Sequence, residues 1–129
     1  MININQTYGI TLEDGSTADI SYNEIADNDS INLLLFSEDT AAGTNINNNN
    51  IYYDDLEKNN SLAIVKLIND EKQYTDNILK AENNWWGVMN LRAAEDDQYN
   101  IVNDAGDTVL EGNVEFSPFK TKKIVEAGI

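Results

Sequence analysis

The chain has 129 residues, 41% of them hydrophobic, which sets one domain with a core of ordinary size. Its 23 Asp and Glu against 8 Lys and Arg give a formal charge of −15. Such a surface repels nucleic acid and anionic membranes, because phosphate binding needs Lys and Arg to displace counterions. With neither Cys nor His, the chain has no disulfides and lacks both the commonest metal ligand and the commonest general base.

The charge is uneven. No Lys or Arg precedes Lys58, whereas residues 1–57 hold eleven Asp and Glu, and the only basic cluster is Lys120, Lys122 and Lys123. An acid-only half favours solubility, cations or a basic protein partner. No stretch approaches the roughly eighteen apolar residues of a membrane span. Met1 leads into Ile2-Asn3-Ile4-Asn5 with neither a basic nor an apolar leader, so no signal peptide is predicted. The expectation is either a cytoplasmic protein or a domain cut from a longer exported chain.

Along the chain, the first predicted strand is Gly9-Ile10-Thr11-Leu12. It is followed by Ile20-Ser21-Tyr22-Asn23-Glu24-Ile25 and a more apolar strand, Ser30 to Phe36. The pattern then returns as Ile46-Asn47-Asn48-Asn49-Asn50-Ile51 and as Ser61 to Leu67. A looser third copy is Ala81-Glu82-Asn83-Asn84-Trp85-Trp86. The 20 asparagines suit turns, since Asn tolerates the left-handed backbone region and bonds its own backbone. Strand, Asn turn and strand recurring at about 26 to 35 residues signal a stack in which each repeat buries its apolar face only against its neighbours. Equivalent residues would then lie one strand spacing apart, and Asn23, Asn49 and Asn84 would form a ladder of amide-to-amide hydrogen bonds. A second reading of one segment stays open. Ile64, Leu67, Ile68, Tyr74, Ile78 and Leu79 also fit one face of a long acidic helix at about 56–82, which would make the domain α+β.

The last predicted elements are Asn83-Asn84-Trp85-Trp86-Gly87 and, after a polar stretch, Gly112-Asn113-Val114-Glu115-Phe116-Ser117-Pro118-Phe119. Paired tryptophans carry apolar area that seldom stays exposed, Gly87 permits a turn, and Pro118, the sole proline, suits an edge strand. These two segments resemble the closing part of right-handed parallel β-helix repeat proteins of the pectate-lyase-like superfamily, which include adhesin-like surface proteins. The resemblance spans about residues 17–119, specific at Asn84, Trp85, Trp86, Gly87, Gly112, Val114, Phe116, Ser117, Pro118 and Phe119 and weak in the repeats. It implies an all-β, short right-handed parallel β-helix of about three coils over 1–87, a capping segment over 88–119 and a tail over 120–129. In that family an Asn-x-Trp-Trp-Gly motif closes the last coil, and the Gly-x-Val-x-Phe-Ser-Pro-Phe type of strand packs across the open end.

Chemistry-bearing patterns are sparse. The acid pairs Glu38-Asp39, Asp54-Asp55 and Glu95-Asp96-Asp97, and Asp104 with Asp107, read as solvated turns; Asp104 and Asp107 are the best calcium candidates but lack the spacing of a calcium loop. No Gly-rich phosphate loop, metal-spaced cluster or nucleophile–base pair is present. Lyases of the resembled superfamily use calcium and a basic side chain, and the sole arginine, Arg92, lies beyond the predicted coils. The expected function is a non-catalytic, adhesin-like surface or extracellular module without catalytic residues or cofactor, making weak contact with a cell-surface glycan and none with nucleic acid or membrane. Two alternatives are weighed: a small cytoplasmic acidic inhibitor of phage type that mimics nucleic acid and binds a basic protein, and a fragment of a polysaccharide lyase or hydrolase.

Overall fold

The computed structural model describes residues 2–3, 8–13, 15–28, 31–36, 38–52, 60–68, 71–73, 79–87, 110–111, 114–116 and 118–128. The described residues are mostly strand. Their elements are β1 (Ile2–Asn3), β2 (Tyr8–Leu12), β3 (Asp19–Ser21), β4 (Glu24–Ala26), β5 (Ile31–Phe36), α1 (Glu38–Gly43), β6 (Asn45–Asn47), β7 (Asn50–Tyr52), β8 (Asn60–Ile68), β9 (Glu71–Gln73), β10 (Leu79–Lys80), β11 (Leu110–Glu111) and β12 (Val114–Glu115).

The strands form three sheets, ordered β1-β4-β7, β12-β10-β6-β3 and β11-β8-β5-β2. Every pairing along these orders is parallel. The β2 strand belongs to the third sheet, β3 to the second and β4 to the first, and β5, β6 and β7 repeat that cycle. Each strand therefore pairs with its counterpart from the next passage of the chain, and we call each such set of strands a layer. Parallel strands need long connections rather than hairpins, which this cycle supplies. The antiparallel pair among the described residues is β8–β9, where Lys66 faces Gln73 and Ile68 faces Glu71.

Register places like residues over like. Ile20 pairs with Ile46, and Ile25 with Ile51. Ile10 and Leu12 lie beside Leu33 and Leu35, and Leu79 beside Val114. Alternation along the short strands turns Ile20, Ile25 and Ile46 inward, as the two-residue period of a strand requires. The β5 strand is buried from Ile31 to Leu35, so both of its faces are covered, as is usual in parallel sheets. One core joins Ile20, Ile25, Leu33, Leu35, Ile46, Ile51, Leu79, Trp86, Val114 and Phe116; fully burying a side chain of this size contributes about 1.5–3 kcal/mol. The helix α1 adds Ala41 to that core and is anchored by the Thr40 hydroxyl, which donates to the Glu13 carbonyl at 2.9 Å.

Two expectations are corrected. The long helix at about 56–82 does not form, because Asn60–Ile68 is a strand paired to β5 and β11. The run Ile64-Val65 is β-branched, and pairing on both edges outweighs the helical spacing of the apolar residues. The sequence alignment of Ser30–Phe36 with Ser61–Leu67 is also two residues out, since Ile31 pairs with Asn60 and Leu33 with Leu62. An even shift keeps each residue on its predicted face, which is why the apolar pattern could not reveal it.

Candidate functional site

The ladder asparagines sit at the corner between the second and first sheets. In each layer the residue before the ladder Asn takes a left-handed conformation, with φ of 56° at Tyr22, 57° at Asn48 and 62° at Asn83. That backbone bend directs the next side chain along the stacking direction. The Asn23 backbone N–H donates to Asn49 Oδ1 at 2.8 Å, across 26 residues of sequence. The Asn49 backbone N–H donates to Asn84 Oδ1 at 2.9 Å, across 35 residues. The side-chain nitrogens complete the column. Asn49 Nδ2 donates to the Ile20 carbonyl at 2.8 Å and to Asn84 Oδ1 at 3.1 Å, and Asn84 Nδ2 donates to the Ile46 and Ala81 carbonyls at 2.8 Å. Asn49 and Asn84 are fully buried, so these bonds replace water that cannot reach them.

The two tryptophans diverge. Trp86 is 1% exposed and joins the main core with Phe116, against which Phe119 packs; the Phe116 and Phe119 ring centres are 6.2 Å apart. Trp85 clusters with Ala26 and Tyr52 instead, its ring centre 5.1 Å from that of Tyr52 at 60°. Its indole Nε1 is buried without a hydrogen-bond partner. Gly87 follows with φ of 95°, a conformation that favours glycine. Val114 pairs in parallel with Leu79. Beyond it the Pro118 carbonyl accepts from Asn83 N–H at 2.6 Å, and Lys120 N–H donates to the Asn84 carbonyl at 2.9 Å. Val114 and Glu115 therefore add a strand to the second sheet beside β10, while Phe116 enters the core and Phe119 packs against it.

After Pro118 the chain turns back over the outer side of the first sheet, an arrangement with no motif in the sequence. The Asn50 side chain makes a two-pronged contact with Ile124: its Nδ2 donates to the Ile124 carbonyl at 2.9 Å, and its Oδ1 accepts from Ile124 N–H at 2.8 Å. One layer back, Lys123 Nζ lies 2.5 Å from Glu24 Oε1 and 3.1 Å from the Tyr52 hydroxyl, and the same hydroxyl donates to Glu24 Oε1 at 2.5 Å. The Lys123 ammonium also stands 5.1 Å from the Tyr52 ring centre, within cation–π range. Gly128 N–H ends the path on the Tyr22 carbonyl at 2.9 Å.

The electrostatics of this cluster argue against proton transfer. Hydrogen bonds from Lys123 and then Tyr52 hold the Glu24 carboxyl below the usual range. Burial, followed by the hydrogen bond to Glu24, pushes the Tyr52 phenol up, and the bonds to Glu24 and Tyr52 push Lys123 up. A general base needs a value near the working pH, and all three groups move away from it. The arrangement holds a charge pair in place. Among the described residues no three His, Cys, Asp or Glu converge on a point that could hold a metal ion, and no helix among them is long and apolar enough to cross a membrane. The calcium candidates Asp104 and Asp107 lie outside the described residues, as do Gly112, Ser117 and Arg92. The chain matches no protein-family model, no curated protein and no solved structure.

Proposed function

We propose that the chain is a short right-handed parallel β-helix that serves as a non-catalytic, adhesin-like display module on a surface or outside the cell. The observation that carries the reading is the column Asn23–Asn49–Asn84, buried at Asn49 and Asn84, in which side-chain amide oxygens accept from the backbone of the neighbouring layer. Such a column spends its polar groups on rigidity rather than on a substrate. The cyclic passage of the chain through three parallel sheets gives the module its three faces. The outward column Asp19, Asn45, Lys80 and Glu115 mixes charge signs, where a mimic of a phosphate backbone needs a regular acidic row. Tyr22 is the large aromatic exposed among the described residues, at 53%, and it is the place for weak stacking against a sugar ring.

The test is a pull-down from lysate at low and moderate salt, run beside a glycan array. Weak, salt-insensitive glycan binding that disappears in Tyr22→Asn supports the module. A single stoichiometric basic protein, captured at low salt and lost as salt rises, would replace it with an acidic inhibitor.

A further inference from the structure

We infer that the outer side of the first sheet is a docking site for a short lysine-bearing peptide segment that closes in a turn, filled in this chain by its own residues 123–128 as a displaceable strap. The site has three contact points spread over two neighbouring layers. Asn50, fully buried, reads the backbone of one peptide residue through both atoms of its amide, as a neighbouring strand would. Glu24 and Tyr52 take the lysine that precedes that residue, from the carboxylate side and over the ring. The Tyr22 carbonyl accepts the backbone N–H at the far end, from Gly128, where a Cβ would come within 2.9 Å of the Glu24 side chain. That closeness selects glycine there.

The strap is held differently from the strands. Lys123, Val125 and Glu126 are exposed, Val125 at 82%; Ala127 is the buried apolar residue of the segment. Its anchors are polar and charged. Complementarity names the occupant, because the only Lys cluster of a chain carrying −15 lies at 120–123 and its Lys123 meets the Glu24 carboxylate. This inference stands on the seated segment and does not depend on the display reading.

The test uses the full chain carrying Lys123→Glu, whose own strap now opposes Glu24, and a fluorescein-labelled peptide of residues 120–129. A tethered segment competes at roughly millimolar effective concentration, so the unchanged chain should bind the peptide weakly. The Lys123→Glu chain should bind it at least about tenfold tighter, and adding Glu24→Gln should remove the gain. Equal binding by the unchanged and Lys123→Glu chains, or a gain indifferent to Glu24→Gln, would overturn the site. Should Lys123→Glu not fold, amide exchange in the unchanged chain decides. Ile124 and Gly128 amides exchanging at least about tenfold faster than those of Ile51 and Ala81 mark a strap that opens by itself, whereas equal protection makes residues 123–128 an integral part of the fold and ends the proposal.

Discussion

Asn84 Oδ1 accepts two hydrogen bonds from one residue of the neighbouring layer, the backbone N–H of Asn49 at 2.9 Å and its side-chain Nδ2 at 3.1 Å. The two side chains thereby act as one polar unit inside an otherwise apolar corner. Asn49→Ala removes the acceptor for Asn23 N–H and the donor to the Ile20 carbonyl. Each buried group left unsatisfied costs about 1–3 kcal/mol, so the variant should lose about 2–4 kcal/mol in urea unfolding. Asn49→Asp keeps the acceptor but turns a carboxylate toward Asn84 Oδ1; its loss should be larger at pH 7 than at pH 4, the reverse of an ordinary surface acid.

Tyr22 occupies the left-handed position that Asn fills in the next two layers, with φ of 56° against 57° at Asn48 and 62° at Asn83. A non-glycine residue other than Asn or Asp is strained there by about 1–2 kcal/mol. Tyr22→Asn should recover part of that strain and stabilise the chain by about 0.5–1 kcal/mol, read as a raised Tm. An unchanged or lowered Tm would mean that the exposed ring contributes more than the strain it brings.

Trp86 and Trp85 should respond differently to substitution. Trp86→Ala opens a hole in the main core and should cost about 3–5 kcal/mol. Trp85→Phe keeps the aromatic contact with Tyr52 and removes a buried N–H that has no partner, so its loss should stay below about 1.5 kcal/mol. Denaturant midpoints of the two variants check the contrast.

Stability should fall on the acid side through Glu24. Its folded-state value lies below the ordinary one, so its contribution is fully present above the unfolded value of about 4.3. The contribution is lost as the pH drops through the lowered folded value. Lys123 shifts the other way, upward, so its contribution is present below the ordinary lysine range and fades only in strong alkali. Lys123 is half exposed, and solvent screening limits the pair to about 0.5–1 kcal/mol. Glu24→Gln should flatten the acid limb of Tm against pH between about 5 and 3 and leave the neutral region displaced by that small amount.

The spacing Ile-x-x-Asn-x-Ile was legible because both of its demands are local: an apolar residue turned inward and an amide at a bend. It placed Ile20 beside Ile46 and Ile25 beside Ile51 and put Asn23 and Asn49 at one corner, with Asn84 following from the looser third copy. A closer reading of the same residues had a further signal in it, since the doublets Asn48-Asn49 and Asn83-Asn84 pair a left-handed bend with a ladder amide. The register of β8 was not legible, because Leu62, Ala63, Ile64 and Val65 offer several apolar matches to β5 and parity alone cannot choose among them. The path of the tail was hidden for another reason. Its contact through Asn50 spans 74 residues, and one Asn among 20 carries no mark that it will bind a backbone instead of bending one.

A linear stack of layers ordinarily melts from its ends, each terminal layer fraying without disturbing the interior. Here Lys120 is bonded to Asn84, Ile124 to Asn50 and Gly128 to Tyr22, so residues 120–128 run like a cord across three neighbouring layers. While the strap is seated, fraying at Asn84 and at Tyr22 is coupled, and loosening it at Glu24 or Asn50 should broaden the transition before it lowers the midpoint.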